Sequence, residues 1–337
     1  MMSEHELQKF FKGKSVLVTG VAGFIGYWVA EYLLWCGAKV VGIDNLNEYY
    51  DSQLKLSRLA LLEKHSHFVF RRLDLSDGAS LKALFPEFDF DLVVHLAAQA
   101  GVRYSIDNPD AYTESNLVGF MNILEACRDN PVDHLVYASS SSVYGNSSES
   151  MFTEEQATDR PVSLYAATKK ANEALAYSYA HLYQIPTTGL RFFTVYGPMG
   201  RPDMAYFKFA EAIRQKKPID IYNEGDLYRD FTYIDDIVDG LVKVALKPPA
   251  ASGGNAPHRI LNIGNNKPVK LSYFVELLEQ LLGCAAVKNY VGMQAGDVYR
   301  TCANIDRIHA LVGFTPATPI EVGLERFVEW FREYRQL

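Results

Sequence analysis

A short apolar run that leads into a glycine-rich turn constrains the fold more than any other part of this sequence. Residues 15–19 read Ser-Val-Leu-Val-Thr, glycines follow at positions 20, 23 and 26, and a helical pattern extends to about Cys36. A second apolar run, residues 39–43, ends at Asp44. Glycine lets the backbone approach a pyrophosphate at the helix N-terminus, and an acid after the second strand suits ribose hydroxyls. The pattern predicts a dinucleotide site, and because Asn45 rather than an arginine follows Asp44, it favours NAD over NADP.

The alternation of strands and helices continues through roughly the first 190 residues. Apolar runs recur at residues 68–70, 91–98 and 135–139. Such alternation predicts an α/β fold with a doubly wound parallel sheet, in which ligands bind at the carboxyl ends of the strands. His95 lies late in a buried run and is interpreted as a core or turn histidine. The residues expected at the ligand rim are Asp74, Ala97, Ala98, Ser139 and Ser140.

The pattern loosens after about Pro198. Helical stretches near 205–216 and 272–282 are separated by loops, and residues 247–255 form a connection rich in proline, glycine and serine. We expect a smaller α/β substrate domain that leans over the sheet rim. The predicted division is a dinucleotide-binding domain at 1–197, to which residues of about 234–262 return, and a substrate domain mainly at 198–337.

Charge and cysteine content narrow the classes of partner and compartment. The formal net charge of -7 argues against nucleic acid or an anionic membrane as a partner. The first residues are acidic where a secretory signal would be basic, and no apolar run approaches the ~20 residues needed to span a bilayer. The four cysteines have no paired spacing, so neither zinc nor a disulfide framework is predicted. We expect a cytoplasmic protein with reduced thiols.

A helix predicted from residue 164 carries the candidate catalytic pair. It follows Pro161 and Ser163, and its apolar residues recur at helical spacing. Tyr165 and Lys169 are four residues apart and therefore share one helix face. An ammonium beside a phenol favours the phenolate, which a lone tyrosine with a pKa near ~10 does not reach at neutral pH. The pair can take a proton from an alcohol, although a helix rich in tyrosine and lysine also produces such a pair by chance.

Three features together point to a known family. The glycine turn, the serine cluster at residues 139–142 and Tyr165-x-x-x-Lys169 resemble the extended short-chain dehydrogenase/reductase superfamily. Within it, the chain is similar to nucleotide-sugar 4-epimerases, in particular those that act on UDP-glucuronate. The resemblance runs from about Ser15 to the end of the chain. Its supporting segments are 101–105, 114–119, 190–198 and, most discriminating, 200–204.

The resemblance implies NAD as cofactor and a role for each matching residue. Tyr165 would take the proton from the sugar 4-hydroxyl while hydride leaves C4, and Lys169 would hold the nicotinamide ribose and lower the tyrosine pKa. Ser140 would share the 4-hydroxyl proton. Asn116 would steady, through a water, the helix that carries Tyr165. The alternative is that Asn116 is a helix-interior residue satisfied by solvent. Phe193 would pack beside the nicotinamide. The implied NAD contacts are Gly20, Gly23, Phe24, Ile25, Gly26, Asp44, Asn45, Asp74, Leu75, Leu96, Ala97, Ala98, Asn116, Ser139, Tyr165, Lys169 and Phe193.

The serine cluster also separates reaction types within the superfamily. Ser141 and Ser142 stand where related 4,6-dehydratases have an Asp-Glu pair, which removes water across C5 and C6. The resemblance therefore disfavours a dehydratase, and the acid of related decarboxylases is also missing. Four consecutive serines also suit a solvent-exposed turn, but a turn at the end of a central strand faces the ligand crevice.

Arg201 is the residue that indicates a substrate. A uronic acid carries a C6 carboxylate, which arginine binds in a bidentate manner. With Thr194 and Ser141, Arg201 would hold this carboxylate so that the β-keto acid formed by oxidation at C4 does not lose carbon dioxide. The alternative is an arginine that bridges its own loop to Asp203. Arg103 is a second candidate cation at the rim.

The resemblance places the nucleotide in the second domain. The segment that ends at Tyr222 matches one that pairs with uracil, Arg229 matches an arginine that binds the diphosphate, and Asp297 matches an acid that reaches the ribose. The position of Arg229 between aromatic residues suits an anionic ligand. Its alternative is an ion pair with Asp226 or Asp230.

Helices near 112–127 and 164–183 have apolar faces wider than one core contact requires. Relatives pair such helices into a four-helix bundle, so we expect a homodimer, the alternative being that the sheet covers both faces. Two other functions are kept open. One is a 4-epimerase of neutral or N-acetylated UDP-hexoses, against which Arg201 argues. The other is a non-catalytic NAD-binding regulator, a class that typically lacks the tyrosine or the lysine.

Overall fold

The computed structural model describes residues 3–293 and 298–336. The helices in this part of the chain are α1 (Glu4–Phe11), α2 (Phe24–Trp35), α3 (Ser52–Leu62), α4 (Gly78–Phe88), α5 (Tyr104–Asp107), α6 (Pro109–Tyr112), α7 (Gly119–Asp129), α8 (Leu164–Tyr183), α9 (Ala205–Arg214), α10 (Ile234–Ala245), α11 (Leu271–Leu282), α12 (Asp306–Val312) and α13 (Ile320–Tyr334). The strands are β1 (Ser15–Thr19), β2 (Lys39–Asp44), β3 (Phe68–Arg72), β4 (Leu92–His95), β5 (His134–Ser140), β6 (Thr187–Phe192), β7 (Thr194–Tyr196), β8 (Pro218–Tyr222), β9 (Tyr228–Arg229), β10 (Phe231–Tyr233), β11 (His258–Ile263), β12 (Val269–Lys270) and β13 (Val287–Val291).

A seven-stranded parallel sheet organises the molecule. Its strand order is β11-β6-β5-β4-β1-β2-β3, and every neighbouring pair is parallel. Successive side chains of a strand point to opposite faces, so Val16 and Val18 enter one hydrophobic cluster and Leu17 enters the other. Helices α2 and α10 pack against the first cluster, whereas α4 and α7 pack against the second. The doubly wound parallel sheet predicted from the sequence is confirmed.

Three two-stranded sheets are built from strands that follow β6 in the chain. Strand β7 pairs with β10 and β8 with β13, both in parallel, and β9 pairs with β12 in antiparallel fashion. Strand β11 lies beside β6 in the large sheet, and α10 packs against α2. We therefore propose that residues 1–197 and 234–262 form the dinucleotide-binding domain and that most of the remaining chain forms the substrate domain.

Every helix within residues 3–293 and 298–336 is too short or too polar to cross a lipid bilayer. The same part of the chain contains no cluster of three or more histidine, cysteine or acidic side chains that could hold a metal ion.

Candidate active site

The turn between β1 and α2 packs so closely against neighbouring backbone that two of its positions require glycine. Gly20 has a φ of 69°, and a Cβ there would lie 2.8 Å from the Cα atom of Ala97. A Cβ at Gly26 would lie 2.1 Å from the carbonyl oxygen of Gly20. Helix α2 begins after Gly23, which offers no capping side chain, so the first helical amides can bind an anion. These amides belong to Phe24, Ile25 and Gly26. The turn therefore fits the pyrophosphate of NAD.

Substitution of Gly26 tests this turn. A methyl group at position 26 would clash with a backbone carbonyl, which cannot swing aside as a side chain would. Overpacking of this kind costs about 1–3 kcal/mol of folding stability, and relief of the clash would shift the turn, so we expect Gly26→Ala to bind NAD about tenfold more weakly. Gly292→Ala is the control, because its added methyl group meets no atom within 4 Å. Calorimetric NAD affinity of Gly26→Ala equal to that of the wild type would show that the phosphate binds elsewhere.

The ends of β2 and β3 form the place for the adenosine. Asp44 is buried at the end of β2, and the Asn45 amide donates to the Asp74 carboxylate over 2.7 Å, while Leu75 is buried behind the rim. The sequence predicts no cation beside Asp44, yet the buried Nζ of Lys55 lies 3.9 Å from the Asp44 carboxylate. Lys55 was missed because it follows on a separate helix, α3, and no local pattern links it to β2.

The ends of β1 and β4 are joined through one hydroxyl group. The Thr19 hydroxyl accepts hydrogen bonds from the amides of Leu96 and Ala97 at 3.1 and 3.0 Å, and it lies 2.9 Å from Nδ1 of His95. Burial lowers the pKa of His95 to about 3, which keeps this side chain neutral. His95 is thus the core histidine that the sequence suggested, and the partly exposed Ala98 continues the rim.

Asn116 supports the catalytic helix directly. It is buried in a π-helical segment, Thr113–Val118, and its side-chain oxygen accepts from the amide of Gln99 at 2.8 Å. Its side-chain nitrogen donates to the Thr168 hydroxyl at 3.0 Å, which in turn donates to the carbonyl oxygen of Tyr165 at 2.8 Å. The solvent-exposed alternative is therefore wrong, because this side chain bonds to protein groups on both sides. The expected water is not needed, since Thr168 makes the link.

Helix α8 places the candidate catalytic pair beneath β5. The helix begins after Ser163, whose hydroxyl accepts from the amide of Ala166 at 3.1 Å. The buried Nζ of Lys169 donates to the carbonyl oxygen of Ala138 at 3.0 Å. The Tyr165 ring packs edge-on against Tyr112 with ring centroids 6.2 Å apart.

The pKa of each member of the pair is set mainly by burial. Burial lowers the pKa of Lys169 to about 8. Burial raises the pKa of Tyr165, and the opposing effects come from a hydrogen bond with Ser140 and from the charge of Arg201. The pKa of Tyr165 is thus raised in the protein alone, and the Lys169 ammonium is directed at the carbonyl oxygen of Ala138. The expected lowering of the tyrosine pKa by Lys169 stays a prediction for the NAD-bound protein.

The serine cluster closes the end of β5 with a short 3-10 turn, Ser141–Tyr144. Ser140 caps this turn: its hydroxyl accepts from the amide of Ser142 at 3.1 Å and donates to the Ser142 hydroxyl at the same distance. The neighbouring Ser139 points inward and donates to Glu173 of α8 at 2.7 Å. Ser140 is therefore the member of the cluster whose hydroxyl lowers the pKa of Tyr165, whereas Ser139 bonds to Glu173 in the framework.

A buried ion pair lies behind these serines and was not predicted from the sequence. Arg191 of β6 donates to both carboxylate oxygens of Glu173, at 2.8 and 2.9 Å, and to the Tyr144 hydroxyl at 3.0 Å. The Tyr144 hydroxyl donates to Asn262 of β11 at 2.7 Å. This network joins α8, the serine turn and three strands of the sheet, so it holds Tyr165 and Ser140 in register.

Arg201 lies close enough to Tyr165 to influence its pKa, and it binds Asp203. Its Nε and Nη2 atoms donate to the two oxygens of Asp203 at 3.0 and 2.5 Å. The Tyr49 hydroxyl donates to the same carboxylate at 3.1 Å. Burial opposes the charge on Arg201, but the Asp203 carboxylate raises the arginine pKa overall. The loop-bridging alternative is thus present, and it leaves the Nη1 side of the guanidinium for another anion.

Three further predicted site residues, Arg103, Phe193 and Thr194, lie in the first part of the chain, and Tyr222 lies in the second. The Arg103 guanidinium lies over the ring of Tyr222 at 5.6 Å from its centroid, so these two candidates come together. Thr194 starts β7, partly exposed, next to Phe193. Phe193 is buried in a small hydrophobic cluster, where its ring packs near that of Tyr144, so most of the ring belongs to the core.

Of the residues predicted to bind the diphosphate and the ribose, the structure describes Arg229 but not Asp297. Arg229 donates to the carbonyl oxygen of Tyr228 at 3.0 Å. The expected acid partners are engaged elsewhere: Asp230 accepts from backbone amides such as that of Asn265 at 2.7 Å, and Asp226 lies 3.3 Å from Lys270. Asp297 lies outside the described residues.

A tyrosine and a lysine spaced one helical turn apart at the rim of a dinucleotide-binding sheet are the arrangement of the short-chain dehydrogenase/reductase class. The chain belongs, within this class, to the NAD dependent epimerase/dehydratase family, whose profile matches residues 16–264. The matched region begins in β1 and ends just after β11, so it includes the whole large sheet. NAD is accordingly the cofactor that the glycine turn serves.

Relatives cover almost the full length of the chain. The probable UDP-glucuronate 4-epimerase of Rhizobium meliloti (strain 1021) is 47% identical over 333 residues, which are 95% of this chain and 98% of the relative. Protein CapI of Staphylococcus aureus is 49% identical over 330 residues, with 95% and 98% covered. The crystal structure of UDP-glucuronic acid 4-epimerase from Bacillus cereus, in complex with UDP-glucuronic acid and NAD, has a TM-score of 0.87 and 34% identity, covering 95% of this chain and 99% of that one.

Proposed function

We propose that the protein is an NAD-dependent 4-epimerase that interconverts UDP-glucuronate and UDP-galacturonate through a 4-keto intermediate. The observation that carries the proposal is the position of Arg201, a partly exposed guanidinium held by Asp203, whose charge acts on Tyr165. A hexuronate whose 4-hydroxyl meets the tyrosine presents its C6 carboxylate to this arginine. The relatives from Rhizobium meliloti and Bacillus cereus, both named for UDP-glucuronate, support the same substrate.

The chain's own residues supply the proton transfers and the orientation. Bound NAD would accept hydride from C4 and return it. Tyr165 takes the proton of the 4-hydroxyl, and the Ser140 hydroxyl shares that proton without fixing one stereochemistry. Lys169 holds its ammonium beneath the site, where it would bind the nicotinamide ribose. Because epimerisation exchanges the faces of the ketone, the sugar would turn about its diphosphate linkage while Tyr222 and Arg229, and Asp297 as the resemblance implies, would hold the nucleotide.

Proton NMR of the protein with UDP-glucuronate tests the proposal directly. We expect the anomeric signal of UDP-galacturonate to grow to a constant ratio without added NADH. Incubation with UDP-glucose and UDP-N-acetylglucosamine separates the alternative 4-epimerases, which would convert these neutral sugars faster than the acid. Absence of conversion of any UDP-sugar by NAD-loaded protein would favour a non-catalytic regulator.

Arg201→Ala should weaken the binding of the sugar acid and release decarboxylated product. Loss of a charge-assisted pair costs about 1.5–3 kcal/mol, so we expect KM for UDP-glucuronate to rise by about 10- to 100-fold. A freely turning carboxylate can align its bond to C5 with the 4-keto group, so carbon dioxide leaves, C5 takes up a proton, and a UDP-4-keto-pentose accumulates. The affinity for UDP, which has no carboxylate, is the internal control. An unchanged KM together with an unchanged product would remove Arg201 from the mechanism.

Exposed apolar side chains support the proposal of a homodimer. Val118 precedes α7, and Leu164 and Leu182 lie on α8; they are 43%, 37% and 63% exposed. These side chains are not covered by the sheet of the same chain. We expect a light-scattering mass twice the 37.9 kDa of one chain, and a lower mass for Leu182→Asp. Trp35→Asp, which changes an exposed apolar side chain on α2, is the matched control and should leave the mass unchanged.

The state of the cysteines supports a cytoplasmic location. Cys36, Cys127, Cys284 and Cys302 are all free thiols, as expected in a reducing compartment. Cell fractionation with an antibody against the protein tests this placement.

A further inference from the structure

The loop before Arg201 is held through its backbone by two side chains from helices of the dinucleotide-binding domain. Trp28 of α2 donates to the carbonyl oxygen of Pro198 at 3.1 Å. Arg58 of α3 donates to the carbonyl oxygen of Met199 from Nε at 3.1 Å and from Nη2 at 2.6 Å. Its Nη2 atom also lies 3.2 Å from the carbonyl oxygen of Gly200. Three successive carbonyl groups are therefore bound immediately before the arginine that faces the substrate.

The other side of the Arg58 guanidinium binds the glycine turn. Its Nη1 atom donates to the carbonyl oxygen of Ala22 at 2.7 Å and to the Tyr50 hydroxyl at 2.8 Å. The residue is fully buried. A neutral donor could satisfy one of these carbonyl groups, but only the rigid planar fork of arginine spans two chain segments at once. The arrangement joins the cofactor turn to the substrate loop through a single side chain.

The backbone of the loop needs this support. Met199 has a φ of 57°, a left-handed conformation that costs a residue other than glycine about 1 kcal/mol or more. That conformation is held by the double hydrogen bond from Arg58 to the Met199 carbonyl. Relaxation of Met199 would rotate the following peptide units and displace the Arg201 side chain from Tyr165.

We infer that Arg58 is a positioning residue, which fixes the loop carrying Arg201 to the glycine turn so that the carboxylate-binding guanidinium keeps its place relative to the dinucleotide. The inference rests on the proposed function, because it assigns to Arg201 the carboxylate of a sugar acid. Arg58 itself lies behind the loop and acts on the substrate only through Arg201.

A double-mutant cycle of Arg58→Lys and Arg201→Ala tests the inference, with binding measured by calorimetry on NAD-loaded protein. Lysine keeps the charge but loses the planar fork. We expect Arg58→Lys to weaken the binding of UDP-glucuronate by about tenfold and to leave the binding of UDP unchanged. In the Arg201→Ala background, Arg58→Lys should have no further effect on UDP-glucuronate. Additive losses, or equal losses for both ligands, would overturn the inference.

Two further variants keep the test independent of folding. Trp28→Phe removes only the bond to Pro198 and should produce the same selective loss, smaller in size, even if Arg58→Lys is too unstable to purify. Tyr50→Phe removes an Arg58 contact that does not reach the loop, and should produce no selective loss. If neither Arg58→Lys nor Trp28→Phe discriminates between the two ligands, the inference is wrong. Failure of wild-type protein to bind or convert UDP-glucuronate would instead contradict the proposed function.

Discussion

Tyr165→Phe should lower kcat for UDP-glucuronate by about 10³-fold, because it removes the group that exchanges the 4-hydroxyl proton. The ring and its packing against Tyr112 would remain, so the variant should fold and should bind both NAD and UDP-glucuronate as the wild type does. The loss would therefore appear in kcat rather than in KM, as expected for a group that acts in the transition state. Quenched reactions followed by NMR measure kcat, and calorimetry measures binding.

Tyr112→Phe is the matched control for this experiment. The Tyr112 hydroxyl is bound by the carbonyl oxygens of Ala100 and Gly101, and we expect it to take no part in proton exchange. Its removal should lower kcat by less than about tenfold, the cost of one neutral hydrogen bond. If Tyr165→Phe retained more than about a tenth of the wild-type kcat, a different base would have to be sought at the rim.

Glu173→Ala should lower the free energy of unfolding by about 3–5 kcal/mol, because it leaves the Arg191 guanidinium buried without its carboxylate. The two side chains are only 5% and 4% exposed, so water cannot replace the lost partner. Urea unfolding followed by tyrosine fluorescence and circular dichroism measures the change. Lys170→Ala is the control: this lysine lies 3.5 Å from Glu173, but it is partly exposed and should contribute less than about 1 kcal/mol.

The same ion pair predicts how stability depends on acid. Burial opposes the charge on Glu173, but Arg191 and Ser139 lower its pKa overall below the ordinary value of 4.5. A carboxyl group with a lowered pKa stabilises the fold above its unfolded-state pKa, and this contribution is lost as the pH falls through the folded-state pKa. Wild-type protein should therefore lose stability more steeply below pH 4.5 than Glu173→Ala does. Parallel acid profiles of the two proteins would contradict the assignment.

Local patterns in the sequence predicted the framework because strands, turns and helices follow short-range rules. The apolar runs located the strands of the large sheet up to β5, and the spacing of Tyr165 and Lys169 placed both on α8. By contrast, the Glu173–Arg191 pair depends on the side-by-side packing of a helix and a strand, which no periodicity encodes. For the same reason, no local pattern predicts that Lys55 lies beside Asp44.

Burial determines what the spacing of Tyr165 and Lys169 leaves open. Spacing shows that Lys169 shares a face with Tyr165, but it does not show how deeply both lie or that the ammonium binds the carbonyl oxygen of Ala138. The balance between desolvation and charge can be read only from the packed molecule. Asn116 illustrates another limit: its role in catalysis stays a prediction, while the structure shows that its path to Tyr165 runs through Thr168.

The pairing of Arg201 with Asp203 has a consequence for turnover. A guanidinium without a counter-charge would bind a sugar acid tightly, and separating the two ions would be costly. Because Asp203 is bound to one edge of Arg201, the cation keeps a counter-charge when no substrate is present. If Arg201 binds the sugar carboxylate as proposed, this pairing should weaken the binding enough for both epimers to enter and leave the same pocket.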